Sequence, residues 1–478
     1  MSSLKSLLAL FFLFLSLSLH AQNWEKEVVE NDPLKTRVYS YPNGLTAYIT
    51  HLPLQPTVQT YIGFRAGSTY DPADKTGLAH YLEHLLFKGT TQFGTQNWKA
   101  EKPLLEEITR LYEKHESETD TTKRLALYEQ IDSLSQEAAR HAIFNEYDRM
   151  MSEMGATGTN AFTSKEITAY MNTVPAHELE RWLKVETERF RAPVLRGFHT
   201  ELEVVYEEKN RALDSDNRRE NELLNQLLFP THPYGQQTTL GKVEHLKNPS
   251  IEAIQAYYQK WYTPTNMVVV LVGDLPQPDE TATLLGQYLG ALPSHPVEHP
   301  RFAPEKPLEE IKRDTIVGPE QDRVTVAFRL PGVREISEHK LELLASLLSN
   351  GVAGILDLEL NQKQLVSSSY SYVSSNLDYS TLTLKGYPLP NQSLAEVESL
   401  MVAQLQHLKS GEFSEQLLNG AKREVERTLL DQANDQGWWA YLLLQAYKNR
   451  TPWGDYLAQL EELEQMSKEE VVELAKRV

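Results

Sequence analysis

Cysteine is absent from the 478-residue chain. That excludes a thiol nucleophile, a disulfide framework and lipid attachment through an N-terminal cysteine. Any metal must then be held by histidine and carboxylate side chains. Basic residues are also short: 47 Lys and Arg face 66 Asp and Glu, for a net charge of −19. Nucleic acid and anionic membrane surfaces are poor partners for such a chain. Long apolar runs are nearly missing. The one present, in "MSSLKSLLALFFLFLSLSLHAQN", follows Lys5, covers residues 7–19 and precedes the small residue Ala21. It is short for a bilayer and reads as a secretory signal peptide over residues 1–21. No later segment is apolar enough to span a membrane. The expectation is an exported chain, periplasmic or secreted, without a transmembrane segment.

What is there reads as a globular protein long enough for two or more domains. "TRVYSYPNGLTAYITHL" (36–52) alternates apolar and polar residues around Asn43-Gly44, a hairpin signal, and "TVQTYIGFRAGS" (57–68) reads as another strand. A helix is predicted over 74–89 and a helical hairpin over 101–140. Strand and turn chemistry returns at 155–174, long helices follow at 198–225 and 250–262, and a strand at 266–275. Five prolines from Pro293 to Pro307 mark a linker, placed at 292–311.

Past the linker the chain starts again. "DRVTVAFRLPG" (322–332) echoes the strand at 57–68, and "SLLSNG" (346–351) echoes "HLLFKG" (84–89). "MSKEEVVELAKRV" at the end matches "PSIEAIQAYYQKW" (249–261). Two divergent copies of one domain are expected, at 22–291 and 312–478. The fold class is α+β, each domain a mostly antiparallel sheet packed by helices. The second copy ends on a helix where the first continues with "YTPTNMVVVLVGD" (262–274), so its sheet should lack the last strand.

The chemistry lies in "GLAHYLEHLLFKGT" (77–90), which carries H-x-x-E-H. At about 100° per residue, Glu83 falls about 60° to one side of His80 and His84 about 40° to the other, so the three share a helix face. Tyr81, Leu82, Leu85 and Leu86 occupy the opposite side. Histidines at i and i+4 can grip one metal ion, and a catalytic zinc takes three protein ligands plus a water. Glu83 is then free to take a proton. The same five-residue pattern at "HPVEH" (295–299) serves as an internal control: Pro296 in a proline-dense stretch keeps its histidines off a common helix face. In the second copy Glu342, Ala345 and Ser346 fall opposite His80, Glu83 and His84, so only the first copy carries the set.

"TELEVVYEEKNRA" (200–212) supplies the third ligand. Glu201 and Glu208 lie about 20° apart on a helix, on the side of Val204 and Val205, while Glu203 and Glu207 point to solvent. A carboxylate on an apolar face needs a cation or hydrogen-bond donors. Glu208 is the predicted ligand and Glu201 the group that orients a ligand histidine.

The ordered motifs "GLAHYLEHLLFKGT", "GTNAFTS", "ELEVVYEEKN", "THPYG" and "YTPTNMVVVLVGDL" resemble the pitrilysin/insulin-degrading enzyme family of inverted-zincin metallopeptidases. The resemblance covers most of the chain past the signal peptide and implies an N-terminal half of such an enzyme. It implies that His80, His84 and Glu208 bind one zinc ion and that Glu83 is the general base. It also implies that Asn160 and Ala161 lie on an edge strand that pairs with a peptide substrate; from the residues alone "GATGTNAFTS" reads as a plain turn, and only the resemblance lifts the peptide reading above it.

Three departures stand out. The interval from His84 to Glu208 is longer than usual, the hairpin at 101–140 accounting for the excess. Asn361 and Ser368 replace an Arg and Tyr that many members use on substrate. The second copy also lacks its last strand. The expectation is a zinc endopeptidase acting on peptides or small unfolded proteins, completed by a second half or partner subunit; the alternative is a non-catalytic peptide-binding or assembly subunit.

Overall fold

The computed structural model describes residues 24–432 and 434–478; the expected signal peptide lies outside the described residues. Strands β2 (Arg37–Ser40) and β3 (Thr46–His51) flank the Asn43-Gly44 turn and pair antiparallel, with β1 (Glu25–Val28), which the sequence reading omitted, added to β2. With β4 (Thr57–Phe64), β5 (Thr157–Thr163), β6 (Thr168–Pro175) and β7 (Met267–Gly273) they form a sheet ordered β1-β2-β3-β7-β4-β6-β5. The β3–β7 pair is parallel and the others antiparallel. β7, "MVVVLVG", is buried along its whole length, as an unbroken apolar strand between two covered faces must be.

The inner face carries α1 (Leu78–Leu85), α2 (Trp98–Ser117), α3 (Thr121–Ala139), α4 (Phe198–Asp214) and α6 (Ile251–Trp261), while α5 (Asp216–Leu228) reaches toward the second repeat, its Glu220 bonding Arg323 at 2.7 Å. Two predicted helices change. The one expected over 74–89 is only eight residues long, because Gly77 precedes it at φ +93° and the chain turns there. The one expected over 198–225 breaks at Ser215, whose hydroxyl accepts the Arg218 N–H and caps a new helix.

In the second repeat β8 (Val324–Pro331), β9 (Ser368–Ser374) and β10 (Tyr379–Tyr387) form a sheet ordered β8-β10-β9, with α7 (Glu338–Leu348) between β8 and β9 in sequence. That order reproduces β4-β6-β5, so the repeat read from sequence is a repeat of topology. Among the described residues β8 has no strand on its other side, where β4 has β7. α7 and α8 (Leu394–Ser410) bury Leu344, Leu348, Met401 and Leu405 over one face.

α9 (Gln436–Lys448) does not stay with the second sheet. Its Leu443 and Leu444 cluster with Val268 and Val270 on the outer face of the first. Gly63 permits this approach, since a Cβ there would lie 2.7 Å from Leu444 Cδ1. The Arg65 guanidinium anchors the helix end by donating to the Tyr447 carbonyl at 2.9 and 2.7 Å. The THPYG segment ties the repeats together: Tyr234 donates to Glu166 and accepts the Asp378 N–H at 3.2 Å.

Candidate metal centre

α1 is short and starts after a glycine, so something else must hold its first turn. Asp71 does, accepting the Gly77 and Ala79 N–H groups at 2.7 and 3.0 Å. Gly77 is required for close approach as well as for its positive φ, because a Cβ there would meet Gly241 Cα at 3.0 Å. The apolar side of α1 (Tyr81, Leu82, Leu85) is buried, which turns His80, Glu83 and His84 toward α4 and β5.

α4 answers with Glu208. His80 Nε2 and His84 Nε2 stand 3.3 Å apart, and Glu208 Oε2 lies 3.5 Å from the first and 3.6 Å from the second. Donors held about 2.1 Å from a tetrahedral centre stand about 3.4 Å apart, so this triangle has the dimensions of a three-ligand zinc face. Glu201 accepts at 2.9 Å from Nδ1 of His84 and pairs with Lys88 Nζ at 2.5 Å. With Nδ1 as the donor, a neutral His84 carries its lone pair on Nε2, toward the triangle. Nδ1 of His80, by contrast, is buried with no hydrogen-bond partner among the described residues.

Electrostatics favour a cation. Burial, with the neighbouring His84 and Arg218 charges, pushes His80 down to about 3, so its imidazole is neutral and able to ligate. Burial opposes a charge on His84, but the Glu201 hydrogen bond and the surrounding carboxylates outweigh it and raise its pKa. Burial also opposes ionisation of Glu201, and the bonds from His84 and Lys88 overcome it and lower its pKa. Glu83 is 7% exposed; burial pushes its carboxyl up, against the hydrogen bond it accepts from Thr163.

The structure brings together His80, His84, Glu208, Glu83 and Glu201. Asn160 and Ala161 lie on β5, the terminal strand of the sheet, in register with Met171 and Tyr170 of β6, so among the described residues the outer edge of β5 has no strand paired to it. Thr163 at the end of that strand bonds Glu83, which sets the edge beside the metal face. Glu203 and Glu207 are exposed, as the helical phase predicts. Val204 departs from it: placed with Val205 on the apolar side, it is 42% exposed while Val205 is buried. At the control segment His295 is exposed and non-helical, and His299 bonds Asn266 Oδ1 at 2.9 Å. Asn361, in the second repeat, clasps the start of β9 through both the N–H and the carbonyl of Ser369. Sequence reasoning missed Asp71, Lys88 and Thr163, each of which acts through contacts that no local spacing announces.

Known proteins share this arrangement of chain. The family profile described as "Insulinase (Peptidase family M16)" matches residues 47–122, and that described as "Peptidase M16 inactive domain" matches residues 250–425. Glu208 lies between the two matched spans. A zinc protease from Helicobacter pylori, PqqE, is 24% identical over 441 residues, covering 88% of this chain and 84% of the relative. Among solved structures, a protease from Helicobacter pylori superposes with a TM-score of 0.71 at 20% identity, covering 92% of this chain and 96% of that one. The periplasmic protease PqqL from Escherichia coli gives 0.69 at 18% identity over 94% of this chain but 47% of its own.

Proposed function

Because the chain belongs to the M16, or pitrilysin/insulin-degrading enzyme, family of peptidases, we propose that it is a zinc-dependent endopeptidase that hydrolyses peptides or small unfolded proteins. The observation that carries the reading is the donor triangle of His80, His84 and Glu208 with the buried Glu83 beside it. One zinc ion held there would supply Lewis acidity, drawing charge from the scissile carbonyl and acidifying a water in the site. Glu83 takes the proton of the attacking water and returns it to the leaving amine; its raised pKa suits a group that must hold that proton in between. Thr163 fixes the carboxylate for this exchange. The free edge of β5 at Asn160 and Ala161 binds an extended peptide by main-chain pairing, which tolerates varied side chains.

The same reading places the enzyme in an exported compartment, periplasmic or secreted, and has a second half or partner subunit close over the peptide. The exposed rim of the site at Glu208, 38% accessible, and the open edge of β5 support that closure. Metal content and peptide products of the purified chain test the reading, with and without a candidate second half. Glu83→Gln should keep one zinc per chain and abolish hydrolysis; unimpaired hydrolysis in that variant would remove Glu83 from the chemistry.

A further inference from the structure

The helical hairpin formed by α2 and α3 separates the two ligand-bearing segments in sequence, yet two buried joints fasten it to both. At its base Glu101, fully buried, pairs with Arg196 Nε at 2.5 Å. Arg196 also donates to the carbonyls of Lys88 and Thr90 at 2.8 and 3.0 Å, just past α1. Higher up, the Tyr112 hydroxyl lies 2.7 Å from Nδ1 of His199, in the first turn of α4. Asp132 Oδ1 of α3 stands 3.6 Å from Nε2 of the same ring. A carboxylate on that side favours the Nε2–H tautomer, so Nδ1 accepts a hydrogen bond from the Tyr112 hydroxyl. Tyr112 also sets its ring edge-on to Phe198 at 4.9 Å, and the Phe198 carbonyl accepts the hydroxyl of Tyr81 in α1.

Resting on the metallopeptidase reading above, we propose that Tyr112 and His199 are positioning residues: through them the hairpin fixes the direction of α4 so that Glu201 and Glu208 meet His84. The geometry shows why a fixed direction matters. Glu208 is nine residues beyond His199, about 13 Å along the helix. A tilt of about 10° at the first turn would carry Glu208 about 2 Å, against a tolerance of about 0.2 Å for a metal ligand. The hairpin is therefore part of the scaffold of the site rather than a surface ornament.

Zinc affinity by chelator competition, melting of the metal-free protein and steady-state kinetics, all on the full chain, test this. Tyr112→Phe keeps the ring and deletes the hydroxyl; zinc binding should weaken about tenfold, the lower end of what outer partners of metal ligands contribute. Its kcat should fall with KM little changed. His199→Asn, which keeps an acceptor near the Nδ1 position, should hold parental affinity, and His199→Leu should not. Tyr41→Phe is the control for plain destabilisation: this buried hydroxyl bonds the Ala282 carbonyl at 2.8 Å, away from the metal face. It should lower the melting temperature and leave zinc affinity unchanged. Equal zinc affinities for Tyr112→Phe and Tyr41→Phe would overturn the proposal. If Tyr112→Phe fails to fold, the two His199 variants decide it, and equal affinity in both overturns it. A parental chain that takes up no zinc overturns the metallopeptidase reading itself, and this inference with it.

Discussion

Glu201→Gln is a one-atom change whose consequence follows from the two partners of the carboxylate. Oε1 faces Nδ1 of His84 at 2.9 Å and Oε2 faces the Lys88 ammonium at 2.5 Å, in a residue 8% exposed. An amide has one oxygen for these two donors. If the oxygen stays with His84, the NH2 group is forced against the ammonium. If it turns to Lys88, the NH2 group donates to Nδ1, the ring carries its proton on Nε2, and the lone pair aimed at the metal is lost. Either outcome should weaken zinc binding about 10–100-fold, or about 1.4–2.7 kcal/mol. The reasoning makes a sharper claim about the pair. Adding Lys88→Met removes the competing donor, so the amide oxygen can turn back to His84. Zinc affinity in Glu201→Gln/Lys88→Met should therefore exceed that of Glu201→Gln alone, measured by competition with a chromophoric chelator. Unchanged affinity in the single variant, or a further loss in the double, would refute this account of His84.

Three more outcomes are expected. Glu208→Gln should abolish stoichiometric zinc binding while Glu207→Gln leaves it intact, because Glu207 is exposed and its neighbour is Arg211 at 3.5 Å; metal analysis of the dialysed proteins decides it. Glu101→Gln leaves Arg196 buried without its counter-charge and should cost about 3–5 kcal/mol, read as a fall in the urea midpoint with unchanged slope. Lys165 is pushed down to about 8 by burial, so between pH 8 and its unfolded pKa the unfolded chain binds more protons than the folded one. Stability relative to Lys165→Met should accordingly rise with pH over that window, by at most about 3 kcal/mol, in paired denaturation curves; a fall would reverse the sign of the burial effect.

The parts of the site that were legible are those set by short-range periodicity. His80, Glu83 and His84 share a face because a helix returns every 3.6 residues, and the seven-residue step from Glu201 to Glu208 works the same way. The hairpin and the β2–β3 turn were legible for similar local reasons. Asp71 was not: it caps α1 from six and eight residues upstream across a loop, outside any N-cap spacing. Thr163 reaches Glu83 across 80 residues of sequence, and no pattern in either segment records the pairing. The break at Ser215 did carry a signal, a serine that can cap, but the apolar spacing that runs through it concealed it. Val204 shows the reverse error, since phase gives direction and not what lies in that direction.

The placement of α9 has a consequence for how the chain is made. Tyr48, Val268, Val270 and Val272 share a buried cluster with Trp439, Leu443 and Leu444, so the strands leave the ribosome long before the segment that covers them. Until residues 436–448 arrive, the first sheet has one wet apolar side, the kind of surface that holdase chaperones bind and that nascent chains aggregate through. The outer face of the first sheet is thus covered last, from residues far along the sequence. A ribosome stalled upstream of Gln436 would carry the helices of His80, His84 and Glu208 on a sheet whose other face is still bare.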